Sequence, residues 1–170
     1  MNSQCRTWKS VAAIAIATAL VAACGGDEPT ERQAAVAEAG AEVMPFDLDS
    51  TTHIFIDTDS GGTQEVIADD PSDDESVRQI RQHLSEEADN FRVGDFSDPE
   101  SIHGPDMPGL AMLTSGFAEI DISLDTTESG ALITYTTDEA ELVDAIHDWF
   151  AAQKSDHGQH AEHAAHDMSG

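Results

Sequence analysis

The sequence predicts an α+β domain: a two-layer ββα–ββα internal duplication, with a four-stranded, mostly antiparallel sheet and two helices on one face. Three observations lead there. Short alternating apolar runs come in pairs, each pair is followed by a helical stripe, and the second set overlays the first at a constant spacing of 66 residues. At that spacing Ile54 falls on Ile120, Ile56 on Ile122, Val66 on Leu132, Val77 on Val143, Ile80 on Ile146 and Leu84 on Phe150. The helix-start signals coincide too, Ser72 with Asp138 and Glu75 with Glu141. Such self-similarity marks a repeated supersecondary unit. One ββα unit alone leaves an apolar face uncovered, so the two units are expected to share one core in a single domain.

The chain opens with an export signal. Arg6 and Lys9 make a positive start, and Val11 to Ala23 is a run of 13 residues, apolar except for Thr18. A spanning helix needs about 20 apolar residues; this shorter run fits a signal-peptide core. It ends in "VAAC", which resembles the bacterial lipobox. That resemblance implies a lipoprotein signal peptide at 1–23 and lipidation of Cys24 as the mature N-terminus. The membrane, reached through that lipid, is then the first expected partner. The expected location is the bacterial cell envelope, with the domain periplasmic or extracellular.

Charge and cysteine narrow the function. The chain has 7 basic and 34 acidic residues, a formal charge of −27, and the signal removes Arg6 and Lys9 but no acid. The resulting field repels nucleic acid and anionic headgroups, so no nucleic-acid partner is expected. It suits cations, a basic envelope protein partner, or a salty medium that screens self-repulsion. Cys5 leaves with the signal and Cys24 carries the lipid, so the folded part has no thiol for a disulfide, a nucleophile or a metal.

The elements follow in order. Residues 24–50, acidic and alanine-rich, read as the lipidated N-terminus and a flexible tether, with nascent helix around Glu31–Glu38. The domain is expected over 51–156. In "THIFIDT" Ile54 and Ile56 alternate against His53, Phe55 and Asp57, "DSGG" turns the chain, and "TQEVIAD" returns as a partner strand. Val77, Ile80, Leu84, Ala88 and Phe91 then recur at helical spacing, behind a capping box of Ser72 and Glu75. An inserted loop at 92–116 separates this unit from "FAEIDISLD", "GALITYTT" and the helical "DEAELVDAIHDWFAAQ". Residues 157–170 form a histidine-rich acidic tail.

The insert is the part that the repeat does not explain, and it is longer than a compact fold needs. Phe96, Ile102, Leu110, Met112 and Leu113 are its expected pegs, and "PGLAMLTSG" is expected to form a short helical turn. His103 and Met107 are soft or borderline metal ligands. His83 and His147 lie beside the apolar stripes of the two helices, so a site of His83, His103, Met107 and His147 is one expectation. The plainer alternative has His103 in a turn, Met107 in a core gap and the helix histidines at the core boundary. In the tail His157, His160, His163 and His166 recur every three residues, a pattern that captures Zn²⁺, Ni²⁺ or Cu²⁺. "DTDSGG" begins like a calcium loop but has Ala68 where the twelfth-position glutamate belongs, so a hairpin turn explains it better. P-loop, dinucleotide, HExxH and GxSxG motifs are missing. A spatial triad of Ser115, His103 and Asp106 is the one catalytic arrangement left to weigh; no catalytic residue is assigned.

"IRQHL…EEA", "GDFSDP…IHGPDMPGL", "ITYTT" and "LVDAIHDWFAAQKSDHG" resemble a family of small bacterial exported and lipoprotein domains, over residues 53–158. Some members carry the label aspartate carbamoyltransferase. That label has no support in this sequence, which lacks the STRT-type phosphate-binding motif and has too few basic residues to grip two anionic substrates. No ligand and no functional residue comes with the resemblance. The resulting expectation is an envelope lipoprotein that binds a transition metal, copper or zinc, through His and Met. The alternative is a non-enzymatic protein-interaction or structural accessory lipoprotein.

Overall fold

The computed structural model describes residues 29–158 and 161–162. The signal peptide, Cys24, His160, His163 and His166 lie outside the described residues. No helix among the described residues is long and apolar enough to cross a membrane.

The fold is α+β, with a four-stranded antiparallel sheet and several helices. Strands β1 (Thr51–Thr58) and β2 (Gly61–Ala68) form one hairpin, and β3 (Asp121–Thr126) and β4 (Gly130–Thr136) form the other. The two hairpins join through antiparallel β2 and β4, and β5 (Ala161–Glu162) adds a short parallel strand outside β1. The order across the sheet is β3-β4-β2-β1-β5. The calcium-like "DTDSGG" is the turn of the first hairpin, as its sequence suggested.

The strand faces differ from the gapless overlay. On β1 it is His53 and Phe55 that are buried, while Ile54 and Ile56 are half-buried on the other face. Val66 sits opposite Ala131 and Leu132 opposite Glu65, so Val66 and Leu132 point to opposite sides of the sheet. A one-residue slip reverses every side chain of a strand. At a spacing of 67, buried positions do coincide, Phe55 with Ile122, Val66 with Ile133 and Ala68 with Tyr135. In the helices the spacing of 66 holds, because the connection before the second helix is one residue shorter.

Those helices are α2 (Asp74–Arg92) and α5 (Ala140–His157). Asp73, not Ser72, caps α2 by accepting from the backbone N–H groups of Glu75 and Ser76; Ser72 bonds to Asp70 instead. At the start of α5 the Thr137 hydroxyl accepts from the Glu139 N–H. Tyr135 of β4 meets Phe91 of α2 and both Trp149 and Phe150 of α5, at ring centroid distances of 6.3, 5.6 and 5.8 Å. Phe55 stacks obliquely on Phe150 at 5.2 Å. This aromatic mass is the centre of the core.

Two regions are more ordered than the sequence implied. In the expected tether, α1 (Glu31–Val43) starts with a Thr30–Gln33 capping box and buries Val36 and Gly40. Helix α1 packs on α5 and on α3 (Ser97–His103), one of two helices within the insert. The other is α4 (Leu110–Gly116), where the short helical turn was expected. Phe96, Ile102, Leu110 and Leu113 are buried as pegs, whereas Met112 is 44% exposed. Gly109 lets α4 reach α5: its φ is +78°, and a Cβ there would lie 2.1 Å from the Ala145 carbonyl oxygen.

Candidate functional site

The same packing leaves a cavity between the sheet, α2, α3 and α5. It measures about 30 Å³, and about 450 Å³ when its opening to solvent is counted. The inner space holds a few waters or a group of a few non-hydrogen atoms. Val66, Leu84, Phe91 and Ile102 supply apolar wall, and four imidazoles, those of His53, His83, His103 and His157, line the rest with Glu87, Gln64, Trp149 and Gln153.

Helix periodicity explains how α2 and α5 each present two of these polar groups. His83 and Glu87 are one turn apart beside the buried Leu84 and Ala88; Trp149 and Gln153 are one turn apart beside Phe150. Insert and tail complete the ring. The stretch at 97–103 brings His103 inward, and the His157 ring stacks on His53 at 4.7 Å.

His103 is anchored from behind. Its Nδ1 lies 2.8 Å from Asp156 Oδ2, and Asp156 also accepts from Arg32 Nε at 2.9 Å and Nη2 at 2.5 Å. Arg32 Nη2 donates in addition to the His103 carbonyl at 2.8 Å, so α1, α3 and α5 meet at one node. Partial burial works against the Asp156 charge, but the hydrogen bonds from Arg32 and His103 outweigh it and hold the carboxyl below the usual carboxylate range. Burial pulls the His103 imidazole down, against the smaller upward pull of Asp156. A neutral ring donating from Nδ1 to the carboxylate keeps its lone pair on Nε2.

Across the cavity, burial and then the hydrogen bond and negative charge of Asp98 push Glu87 up to about 8, so this carboxyl is protonated near neutral pH. Burial likewise lowers His83. Burial thus favours the neutral forms of Glu87, His83 and His103, while the negative Asp98 also lines the cavity. Two of its donors have no acceptor among the described residues: Trp149 Nε1, in a residue 1% exposed, and Gln153 Nε2, in a residue 5% exposed. Buried polar atoms without partners are uncommon and call for an explanation. The amide of Gln64 is engaged, its Oε1 accepting from the Tyr135 hydroxyl at 2.9 Å.

No family model, curated protein or solved structure matches this chain. The geometry of the cavity therefore carries the functional reading by itself.

The four residues of the expected metal site part company. His83 and His103 share the cavity. Met107 is buried in the core, filling a gap as its plainer reading had it. His147 Nε2 donates to the carbonyls of Thr58 at 3.0 Å and Gly61 at 2.9 Å, pinning the β1–β2 turn. Among the described residues no group of three or more His, Cys, Asp or Glu side chains is placed to hold a metal ion, which overturns the copper or zinc cofactor. The physical reason is that Met107 is packed in the core, His147 is bound to the β1–β2 turn, and His103 Nδ1 is taken by Asp156. His157 is in the cavity wall, and the remaining tail histidines lie outside the described residues. The weighed triad also fails: Ser115 is exposed and donates to the Met112 carbonyl, and the partner of His103 is Asp156, not Asp106.

Glu87, Trp149, Gln153 and Asp156 were missed by sequence reasoning. The available signal was polar residues falling within the buried stripe of a helix, at Glu87 on α2 and Gln153 on α5.

Proposed function

We propose that this chain is an exported, lipid-anchored envelope protein whose folded domain binds a small organic molecule in the cavity at His103, Glu87, Trp149 and Gln153. The observation that carries the reading is that two residues lining the cavity, Trp149 and Gln153, each hold a buried donor with no acceptor among the described residues. Loss of hydrogen bonding at each costs about 1–3 kcal/mol, and a ligand that accepts from both returns it. The anchored His103, the protonated Glu87 and the apolar wall give the mixture of fixed polar groups and apolar surface that small-molecule sites use.

The same reading includes two ββα units of common origin, with both helices on one sheet face. Support comes from a reciprocal exchange. Arg81 of α2 donates to the Thr127 and Gly130 carbonyls in the second hairpin's turn, at 2.5 and 3.0 Å. His147, 66 positions later, makes the matching bonds to the first hairpin's turn. Tyr135 touching rings from both helices supports the shared face.

The test is a thermal-shift screen of the full chain against small organic molecules, repeated on Val66→Phe, which fills the cavity. Molecules that raise the Tm of the wild type and not of a folded Val66→Phe support the reading. Equal shifts in both proteins, or none in either, sink it.

A further inference from the structure

Resting on that reading, we infer that the ligand is uncharged where it enters the cavity and presents acceptor oxygen, as an amide or a ketone does, to Trp149 Nε1 and Gln153 Nε2. An indole N–H and an amide NH₂ are donors only. They belong to residues one helical turn apart on one face of α5, and both residues line the cavity. A group that accepts from both satisfies two buried donors at once.

Charge decides between oxygen-bearing classes. A carboxylate is an equally good acceptor, but it must leave water inside the enclosure that already holds the Glu87 carboxyl in its neutral form, with Asp98 beside it. Arg32 does not help, since its guanidinium is committed to Asp156 and the His103 carbonyl. An ammonium fails too. The enclosure penalises a positive charge as well, since burial there already lowers the His83 and His103 imidazoles. The space of about 30 Å³ limits the entering portion to a few non-hydrogen atoms.

Three probes of four non-hydrogen atoms separate these cases: acetamide, acetate and isopropylammonium. The readout is the indole N–H resonance of Trp149 in the full chain, told apart from that of Trp8 by Trp8→Phe. Acetamide is expected to move it saturably in the millimolar range, at least tenfold more tightly than either ion. Gln153→Leu and the near-isosteric Gln153→Glu, each checked for folding by circular dichroism, are expected to weaken acetamide at least tenfold. Acetate or isopropylammonium binding as well as acetamide would overturn the inference, as would acetamide binding unchanged in folded Gln153 variants. If no probe moves the resonance while the screen finds molecules blocked by Val66→Phe, the inference falls and the binding reading stands. If nothing binds in a cavity-dependent way, the donors meet ordered water only and both fall.

Discussion

Helices α2 and α5 each follow a β-hairpin of the sheet, and they furnish the cavity with different chemistry. At the spacing of 66, His83 answers to Trp149 and Glu87 to Gln153, all four buried and all four lining the cavity. Helix α2 contributes His83 and Glu87, and at the same spacing α5 contributes the neutral donors of Trp149 and Gln153, with the imidazole of His157 at its last residue. The two helices thus bring complementary chemistry to one cavity.

The largest effect that can break this comparison is at Trp149. Trp149→Ala removes a 1%-exposed ring in contact with Phe91, Phe96, Tyr135 and Phe150, and is expected to cost about 3–5 kcal/mol in urea denaturation. His83→Ala, at the matched place, is expected to cost clearly less; equal losses would mean that the two positions are equivalent packing sites.

Next comes pH. The folded Glu87 carboxyl binds its proton up to about 8, whereas in the unfolded chain it loses it in the usual carboxylate range. Between those limits the folded state holds the extra proton, so stability falls as pH rises, by up to about 1.4 kcal/mol per unit. Below the ordinary imidazole range, near about 6.5, the sign reverses for His83 and His103, whose pKa values burial lowers: the unfolded state takes up protons first and stability falls with acidification. Urea titrations across the range should show Glu87→Gln removing the fall of stability with rising pH between the ordinary carboxylate range and about 8. An unchanged fall would show that Glu87 ionises normally.

Asp156→Asn tests the node behind His103. It is expected to cost about 1–3 kcal/mol, moderated because the Arg32 side chain is 53% exposed. Two further variants sharpen the reciprocal pinning of turns, the second with the smallest effect. Arg81→Ala, losing a charged donor to carbonyls of the second turn, is expected to cost about 1.5–3 kcal/mol, and His147→Ala about 0.5–1.5 kcal/mol. Amide hydrogen exchange should rise in the opposite unit's hairpin in each case; exchange rising only beside the mutated helix would deny the crossing.

Much of the framework was legible because periodicity reports which face of a helix is buried. Val77, Ile80, Leu84, Ala88 and Phe91 all belong to the core, as does the matching Phe150. The strands were harder. In "THIFIDT" both alternating sets contain apolar residues, and the face was decided by Phe55, whose ring meets Phe150, not by the two isoleucines. The site was only half legible. His83 and His103 were marked by residue type, but nothing local reveals that His103 meets a carboxylate 53 positions away. Glu87 looked like one more acid of a solvated helix; its unusual protonation arises from burial beside Asp98, which belongs to another helix. The docking of helix α1, whose first turns were expected as nascent helix, was hidden for a similar reason. Its weak amphipathic pattern says little, and its place is set by Arg32 reaching Asp156, 124 positions on.

That long reach has a kinetic consequence. Chain segments so distant meet at the cost of closing a large loop, and the node is expected to form after the core, with unfolding and refolding rates of Asp156→Asn as the check. The Arg32–Asp156–His103 junction therefore acts as a latch on an already assembled core. A change there speeds unfolding and leaves refolding nearly untouched, so the node sets how long the closed cavity lasts more than how fast it is made.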